Sequence, residues 1–588
     1  MRLLRSALLI TCAAALSLPS AAARAGDGGG DDKLDKLLED EAKGRMFGGW
    51  GDRFTERERS YPWVEHHGYF RFRADLFHNG HLSTVIPGVS GTGTSGIPAP
   101  LTENVINNDD ADVSAQVGTE DAKAIATANL RFRYSPTLHV SDNLRIHTTV
   151  DILDNLVMGS TPDFAGNLAR PDVPLSAFAT TAAPPSAGVN GFSDSIRVKE
   201  AYAEFQPSFL LRVGRQASSW GLGILANGGQ DVDDDFGDFT DRALLLLKVW
   251  DVYVTAAWDY VYSGAITDDP TDNFGQPKDL GLADDVNQYV LAFFQRPLSD
   301  KDKAERRAAL HERFEPAFDW GVYGVFRQQD FDLDIASYAR WRKEGGDLSR
   351  ASLGLVPRDA WAVIPDLWLR YQQRFSFHSG LRIEAELVGI IGEVGNADSE
   401  LGGGTGSREL QQFAGAVEVQ YDYGGLDLGL DAGFASGDDA DGFGVLDKHT
   451  LAEADGSPNT KITGFKFDRD YQIDLILFRE VIGAVTNAIY VKPWVAYDLV
   501  EGPEDFGFRL DLLYAQALEP RATPGDDGFL GFEADIRTYF YDPSGFRFDL
   551  EMGLLFPGGA FNYRPVDNTN DRDAEFAFTL QSRLTMMF

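Results

Sequence analysis

A set of cationic side chains stands out by its spacing. Arg71 and Arg73, Arg131 and Arg133, and Arg197 and Lys199 each lie two positions apart, and His147 follows Arg145 at the same interval. In an extended chain that interval puts both members of a pair on one face. Apolar residues fill the alternate places: Phe70, Phe72, Ala74 and Leu76 in the first stretch, then Leu130, Phe132 and Tyr134, then Ile146 and Val150. Arg212 sits in a similar stretch, and on adjacent strands about 4.8 Å apart these residues would form one basic wall. Arginine stays protonated, so a wall facing water would draw anions. A wall facing carboxylates such as Asp75 and Asp151 would instead be a set of internal ion pairs. Later stretches carry mixed or acidic sets: Arg382, Glu384 and Glu386; Asp427 and Asp431; Glu533, Asp535 and Arg537; Arg547, Asp549 and Glu551. Charges segregated in this way select among ions and small solutes.

A second chemical candidate is the acidic run Asp231 to Asp238, where Asp231, Asp233 and Asp235 could offer oxygens to calcium. The helix–loop–helix calcium pattern fails there, because the glycine, Gly237, comes one place late and Arg242 stands where the bidentate acid belongs. A solvated acidic loop on the outside of the cell is the expected role, with calcium as the secondary reading. The same holds for Asp438, Asp439 and Asp441. No Gly-x-Ser-x-Gly, His-Glu-x-x-His or phosphate-binding glycine-rich signature occurs, so no enzyme is expected.

The elements that would position these residues are strands. From Phe576 to Phe588 the chain alternates apolar and mostly polar residues to its last position. A strand that crosses a bilayer in a closed barrel, with lipid on one side and water on the other, needs this pattern. Phe588, Met586 and Leu584 resemble the C-terminal signal of Gram-negative outer-membrane barrels. Short turns alternate with long loops, as in Asp542-Pro543-Ser544-Gly545 against the Gly- and Thr-rich stretch 79–122. Lys301 to Arg313 reads as a charged helix inserted at a turn.

The strand-like segments number about nineteen, an odd count where a bacterial up-and-down barrel takes an even one. Ala488 to Leu499 is the segment expected to drop out, since Pro493 would interrupt a ladder. The expected fold is therefore all-β: a single transmembrane antiparallel up-and-down β-barrel of about 18 strands, within roughly 16–20. It spans residues 66–588, after a signal peptide at 1–25 and a periplasmic segment at 26–65. The sole cysteine, Cys12, would leave with the signal peptide.

Composition sets limits. A net charge of −37 argues against nucleic acid as a partner. Mean hydropathy is −0.23, and no stretch beyond the first twenty or so residues is apolar enough for a spanning helix. Lys199-Glu200-Ala201-Tyr202-Ala203-Glu204-Phe205, then Val213-Gly214-Arg215-Gln216 and Trp220-Gly221-Leu222-Gly223, form the most distinctive run. The alternation slips between Lys199 and Glu200, which predicts a bulge. The run resembles porin-like barrels of the alginate-export kind and related uncharacterised outer-membrane families, where a Gly-Arg-Gln strand follows a Glu-Ala-Tyr strand. That resemblance implies a passive or substrate-selective channel. With the basic wall it gives the expectation of a channel for small hydrophilic solutes, anions among them. A surface-exposed binding or structural barrel with a blocked lumen is the alternative, and an outer-membrane hydrolase a more distant one. Outer-membrane lipid and lipopolysaccharide would surround the barrel. A single barrel and a homotrimer both stay open.

Overall fold

The computed structural model describes residues 61–80, 82–84, 124–158, 196–261, 286–333, 355–396, 406–439, 460–500, 505–562 and 571–588. The expected signal peptide and nearly all of the expected periplasmic segment lie outside these residues.

Strands are numbered in chain order. The first three are β1 (Trp63–Glu65), β2 (Gly68–His78) and β3 (Ala124–Tyr134), followed by β4 (Thr137–Ser141), β5 (Leu144–Val157), β6 (Arg197–Phe205) and β7 (Leu210–Ala217). Next come β8 (Phe239–Val249), β9 (Val252–Val261), β10 (Val286–Gln295), β11 (Ala317–Leu333), β12 (Leu355–Ser376), β13 (Ser379–Val394), β14 (Arg408–Tyr423) and β15 (Leu426–Ala435). The last are β16 (Lys461–Ile462), β17 (Ala488–Val500), β18 (Asp505–Ala517), β19 (Phe529–Asp542), β20 (Phe546–Pro557) and β21 (Ala577–Met587). All belong to one sheet. The short β1 continues the line of β2 and pairs with β4, which continues β3. The two-residue β16 lies beside β14 inside a loop. The remaining strands form a closed, antiparallel up-and-down barrel of 18 strands, sealed where β21 pairs with β2 from Tyr69↔Met587 to His78↔Phe578. Closure leaves no open edge, which a wall standing in lipid requires.

Alternation fixes the faces. In β2 the odd residues from Tyr69 to Phe77 are buried and the even ones only partly so, and β21 repeats this. Leu245, Leu291, Val322, Leu387, Leu430 and Ile489 are exposed outward, the surface a hydrocarbon layer demands. Aromatic residues such as Phe205, Phe377 and Tyr423 stand near the short turns, and Tyr260, Tyr289 and Phe529 near the long loops. They sit where interfacial girdles form. No helix among the described residues is long and apolar enough to cross a membrane, which does not bear on a barrel.

One short turn carries a helix, α1 (Asp300–His311), as the sequence expects. Ser299 caps it by accepting the Asp302 N–H at 3.1 Å. Partial burial works against the Asp302 charge, but contacts from Lys248 and Ser299 hold its carboxyl below the usual range. Arg306 reaches up from the helix to Asp319 in β11 at 2.9 Å.

The expected odd segment is a different one. Ala488–Val500 is a barrel strand, with Pro493 opposite Leu430 of β15. Toward β18 the pairing runs Val491↔Tyr514 and then Trp494↔Asp511, with no pair at Lys492 or Pro493. The missing N–H is accommodated in that gap, so the strand keeps its register through a proline. The supernumerary segment is Tyr471 to Phe478. It does not join the wall; it folds into the barrel and leads into a single π-helical turn, Leu477–Ile482. Apolar residues of this segment and of the chain on either side of it, among them Phe465, Phe467, Ile473, Leu475, Leu477 and Val481, pack against small inward residues of the wall such as Ala414, Ala416, Ala435, Ala488 and Ala515. An apolar run without the reach of a strand pair looks the same in sequence whether it faces lipid or a neighbouring segment.

Candidate functional site

Every residue of the basic wall faces inward. Arg71 and Arg73 in β2 oppose Arg131 and Asn129 in β3, with Arg71 directly across from Arg131. Arg145 and His147 lie in β5, Arg197 and Lys199 in β6, and Arg212 in β7. The expected bulge is present, since Thr149 pairs with Glu200 and Val150 with Val198, leaving Lys199 without an opposite partner.

The wall does not face open water. The acidic run Asp231 to Asp238, expected as a solvated outer loop, folds into the lumen and meets it. Asp235 lies 2.6 Å from Arg131, 2.9 Å from Arg73 and 3.2 Å from Arg71. Asp233 lies 3.1 Å from Arg73, and two arginines that the sequence reading left aside complete its shell: Arg479 of the in-folded segment at 2.9 Å and Arg583 of β21 at 3.1 Å. Arg71 also donates to the Val232 carbonyl at 2.7 Å. Within the wall, Arg133 holds Asp151 through two contacts at 2.7 and 2.9 Å. Lys199 approaches Asp154 at 3.3 Å, and Arg197 approaches it at 3.5 Å. Arg212 binds Glu204 at 2.8 Å, while Arg145 and His147 lie 3.6 and 3.8 Å from that same acid. The cations are thus matched by acids, and all but the partly exposed Arg197 and His147 lie in a buried interior, where a lost partner costs far more than at a surface.

This geometry also bears on calcium. Asp233 and Asp235 point at guanidiniums, and among the described residues no group of three or more His, Cys, Asp or Glu is arranged to hold a metal ion. The second acidic cluster is likewise bonded within the protein where it is described: Asp438 accepts the Thr463 N–H at 2.8 Å. Asp441 lies outside the described residues.

Among the described residues two segments fold into the lumen, residues 218–238 between β7 and β8 and residues 463–487 between β15 and β17. They bolt to each other. The Asp470 carboxylate accepts the N–H groups of Asp235 at 3.0 Å and Phe236 at 3.2 Å, and the Asp468 N–H donates to the Ile224 carbonyl at 2.9 Å. Each is also anchored to the wall. Glu533 of β19 accepts N–H groups from Leu475, Ile476 and Leu477 at 2.8–3.0 Å. Glu386 of β13 accepts from Leu222 and, at 3.0 Å, from Gly223.

The Trp220-Gly221-Leu222-Gly223 run is this second anchor. It is a turn inside the lumen, not a strand. Gly221 has φ +56°, and a Cβ there would stand 2.3 Å from the Glu386 carboxylate, so both the backbone and the space require glycine. Around it the wall is apolar, where the sequence leads to a polar lumen of segregated charges: Tyr253, Val290, Ala292, Phe294, Tyr323 and Trp368 cluster with Trp220.

Water reaches a different part of the wall, the short-turn half of β13–β20. There inward charges keep partly exposed side chains, 37% for Arg537, 32% for Arg547, 27% for Arg509 and 24% for Asp422. Arg509 stacks on Trp494 at 4.1 Å and pairs with Asp511. Lys492 lies 3.1 Å from Asp431. Arg537, Asp427, Asp431, Arg547 and Arg382 are recognisable in the sequence by their alternation, whereas their exposure depends on which wall the in-folded segments leave free.

No family model matches the chain, and no curated protein matches it. Solved structures do align along most of its length. OccK9 (OpdG) of Pseudomonas aeruginosa is 12% identical, covering 89% of this chain and 99% of that one at a TM-score of 0.46. OccAB1 of Acinetobacter baumannii is 10% identical, covering 91% and 99% at 0.46. A BenF-like porin from Pseudomonas fluorescens Pf-5 is 7% identical, covering 89% and 99% at 0.43. At these scores the barrel assignment rests on this chain's own strand ladder and closure.

Proposed function

We propose that the protein is an outer-membrane channel of a Gram-negative bacterium, admitting small hydrophilic solutes past two in-folded segments. The carrying observation is the short-turn half of β13–β20, where charged inward side chains meet water while their outward neighbours are apolar. A wall that only had to be stable would have no use for partly solvated charges on its inner face. Anion preference, expected from a bare basic wall, has less support, because Asp233, Asp235, Asp151 and Glu204 balance that wall.

A second reading is favoured by the occupied lumen: a barrel closed by its own loops that serves as a surface structure. Reconstitution into a planar bilayer separates the two. Discrete conductance steps, with swelling of liposomes in small sugars, support the channel. A silent bilayer with correctly folded protein supports the closed barrel.

A further inference from the structure

The seat of Trp220 on the wall opposite the arginines has features that its present occupant does not use. The indole lies against Gly321 of β11, where a Cβ would stand 2.6 Å from the ring. It stacks on Tyr323 with centroids 4.9 Å apart and meets Phe294 and Trp368 edge-on at 6.0 and 6.5 Å. Its Nε1–H donates to Asp366 at 2.9 Å. The next two donors of the turn, the N–H groups of Leu222 and Gly223, go to Glu386.

What remains is unbalanced. Asp366 and Glu386 are each 2% exposed, and no lysine or arginine pairs with either among the described residues. The Asp366 and Glu386 carboxyls bond to each other, which one shared proton allows, and beyond that pair and the turn's N–H groups no donor among the described residues reaches them. Elsewhere inside the barrel buried acids such as Asp235 and Asp319 meet guanidiniums. Here two acids share a buried aromatic corner and are held by each other and by N–H dipoles, while the nearby Arg242 bonds the Tyr323 hydroxyl and neither acid. Buried carboxylates without a counter-ion are costly, and aromatic faces add to the attraction for a cation.

We propose that this corner is a binding site for an organic cation, a solute joining a protonated amine or amidine to a flat apolar body. The Trp220–Gly223 turn is a tethered occupant that supplies the flat ring and the N–H donors but lacks the positive charge. Such a solute displaces the turn, stacks on Tyr323 and places its charge between Asp366 and Glu386. The inference deepens the channel reading by naming one solute class, and its test does not depend on conductance.

Benzamidinium is the probe and neutral benzamide, of nearly equal shape, the control. Both are titrated calorimetrically into the full chain in detergent. A seat occupied most of the time by its own turn weakens the observed affinity by the fraction left free, so Trp220→Ala should bind benzamidinium at least about tenfold more tightly than the native chain. Adding Asp366→Asn and Glu386→Gln to that variant should abolish binding, and benzamide should bind none of them. In the native chain, benzamidinium should raise amide exchange across residues 219–228, a readout that needs no variant. Equal binding of benzamide, binding unchanged by the carboxylate substitutions, or native exchange indifferent to benzamidinium would overturn the proposal. The last two outcomes would leave the carboxyls as a pair sharing a proton. A conducting barrel that ignores benzamidinium would fail this inference alone, whereas a silent barrel that binds it would fail only the channel reading.

Discussion

Asp233 is the residue on which the interior charge converges. Arg73, Arg479 and Arg583, from two strands and an in-folded segment, lie within about 3.1 Å of its carboxylate. Asp233→Asn keeps the shape and removes the charge, leaving guanidiniums without a full partner. Breaking a buried pair of this kind costs about 3–5 kcal/mol. The expected outcome is a lower melting temperature together with a larger or more frequent open state in bilayer recordings. Unchanged melting would show that the contacts are not made in the membrane. Gly221→Ala makes a separate demand, because the added methyl meets Glu386 in a backbone conformation that alanine resists. Conductance should rise there while heat-modifiable gel mobility, which reports the barrel, stays native. The inward direction of the arginines was readable from their two-residue spacing. Their partners Asp233 and Asp235 were not, because a loop carries no periodicity and its destination is set by tertiary contact.

Strand and loop divide differently. Nearly every wall strand shows its alternation in sequence, since lipid on one face and packed or wet interior on the other impose a strict period of two. The exchange of Tyr471–Phe478 for Ala488–Val500 marks where that signal is blind: proline fits a strand wherever the ladder has a gap to receive it. Among the polar anchors of the in-folded segment, Glu533 of the wall accepts three successive backbone N–H groups. Glu533→Ala leaves those buried donors unmet, at about 1–3 kcal/mol each. Hydrogen exchange at Leu475, Ile476 and Leu477 should quicken by at least an order of magnitude. Amides of the β18–β19–β20 ladder should stay protected. Exchange that remained slow at all three positions would mean that apolar packing against the wall alanines holds the segment by itself.

For the molecule as a whole, ion selectivity is the property that the arrangement of charges governs. The overall charge of −37 says little about it, because loop charges beyond a Debye length of roughly 8 Å are screened at physiological salt. The wall decides, and in the native state the acidic loop neutralises its arginines. A salt gradient across a bilayer should therefore give the native channel a reversal potential near zero, with any residual preference set by the partly exposed charges of β13–β20. Changing Asp233 and Asp235 together to Asn removes two negative charges from the arginines and leaves the wall intact, so the potential should move toward the anion limit. Changing Arg71, Arg131 and Arg145 together to Gln strips the cations from Asp235 and Glu204 and should move it the other way. Opposite shifts from the two sets establish that loop and wall face one aqueous path. If both sets leave the potential where the native channel has it, ions pass elsewhere, along the exposed side near Arg509 and Arg537, and the arginine wall with its acidic loop is a clasp that closes one half of the barrel.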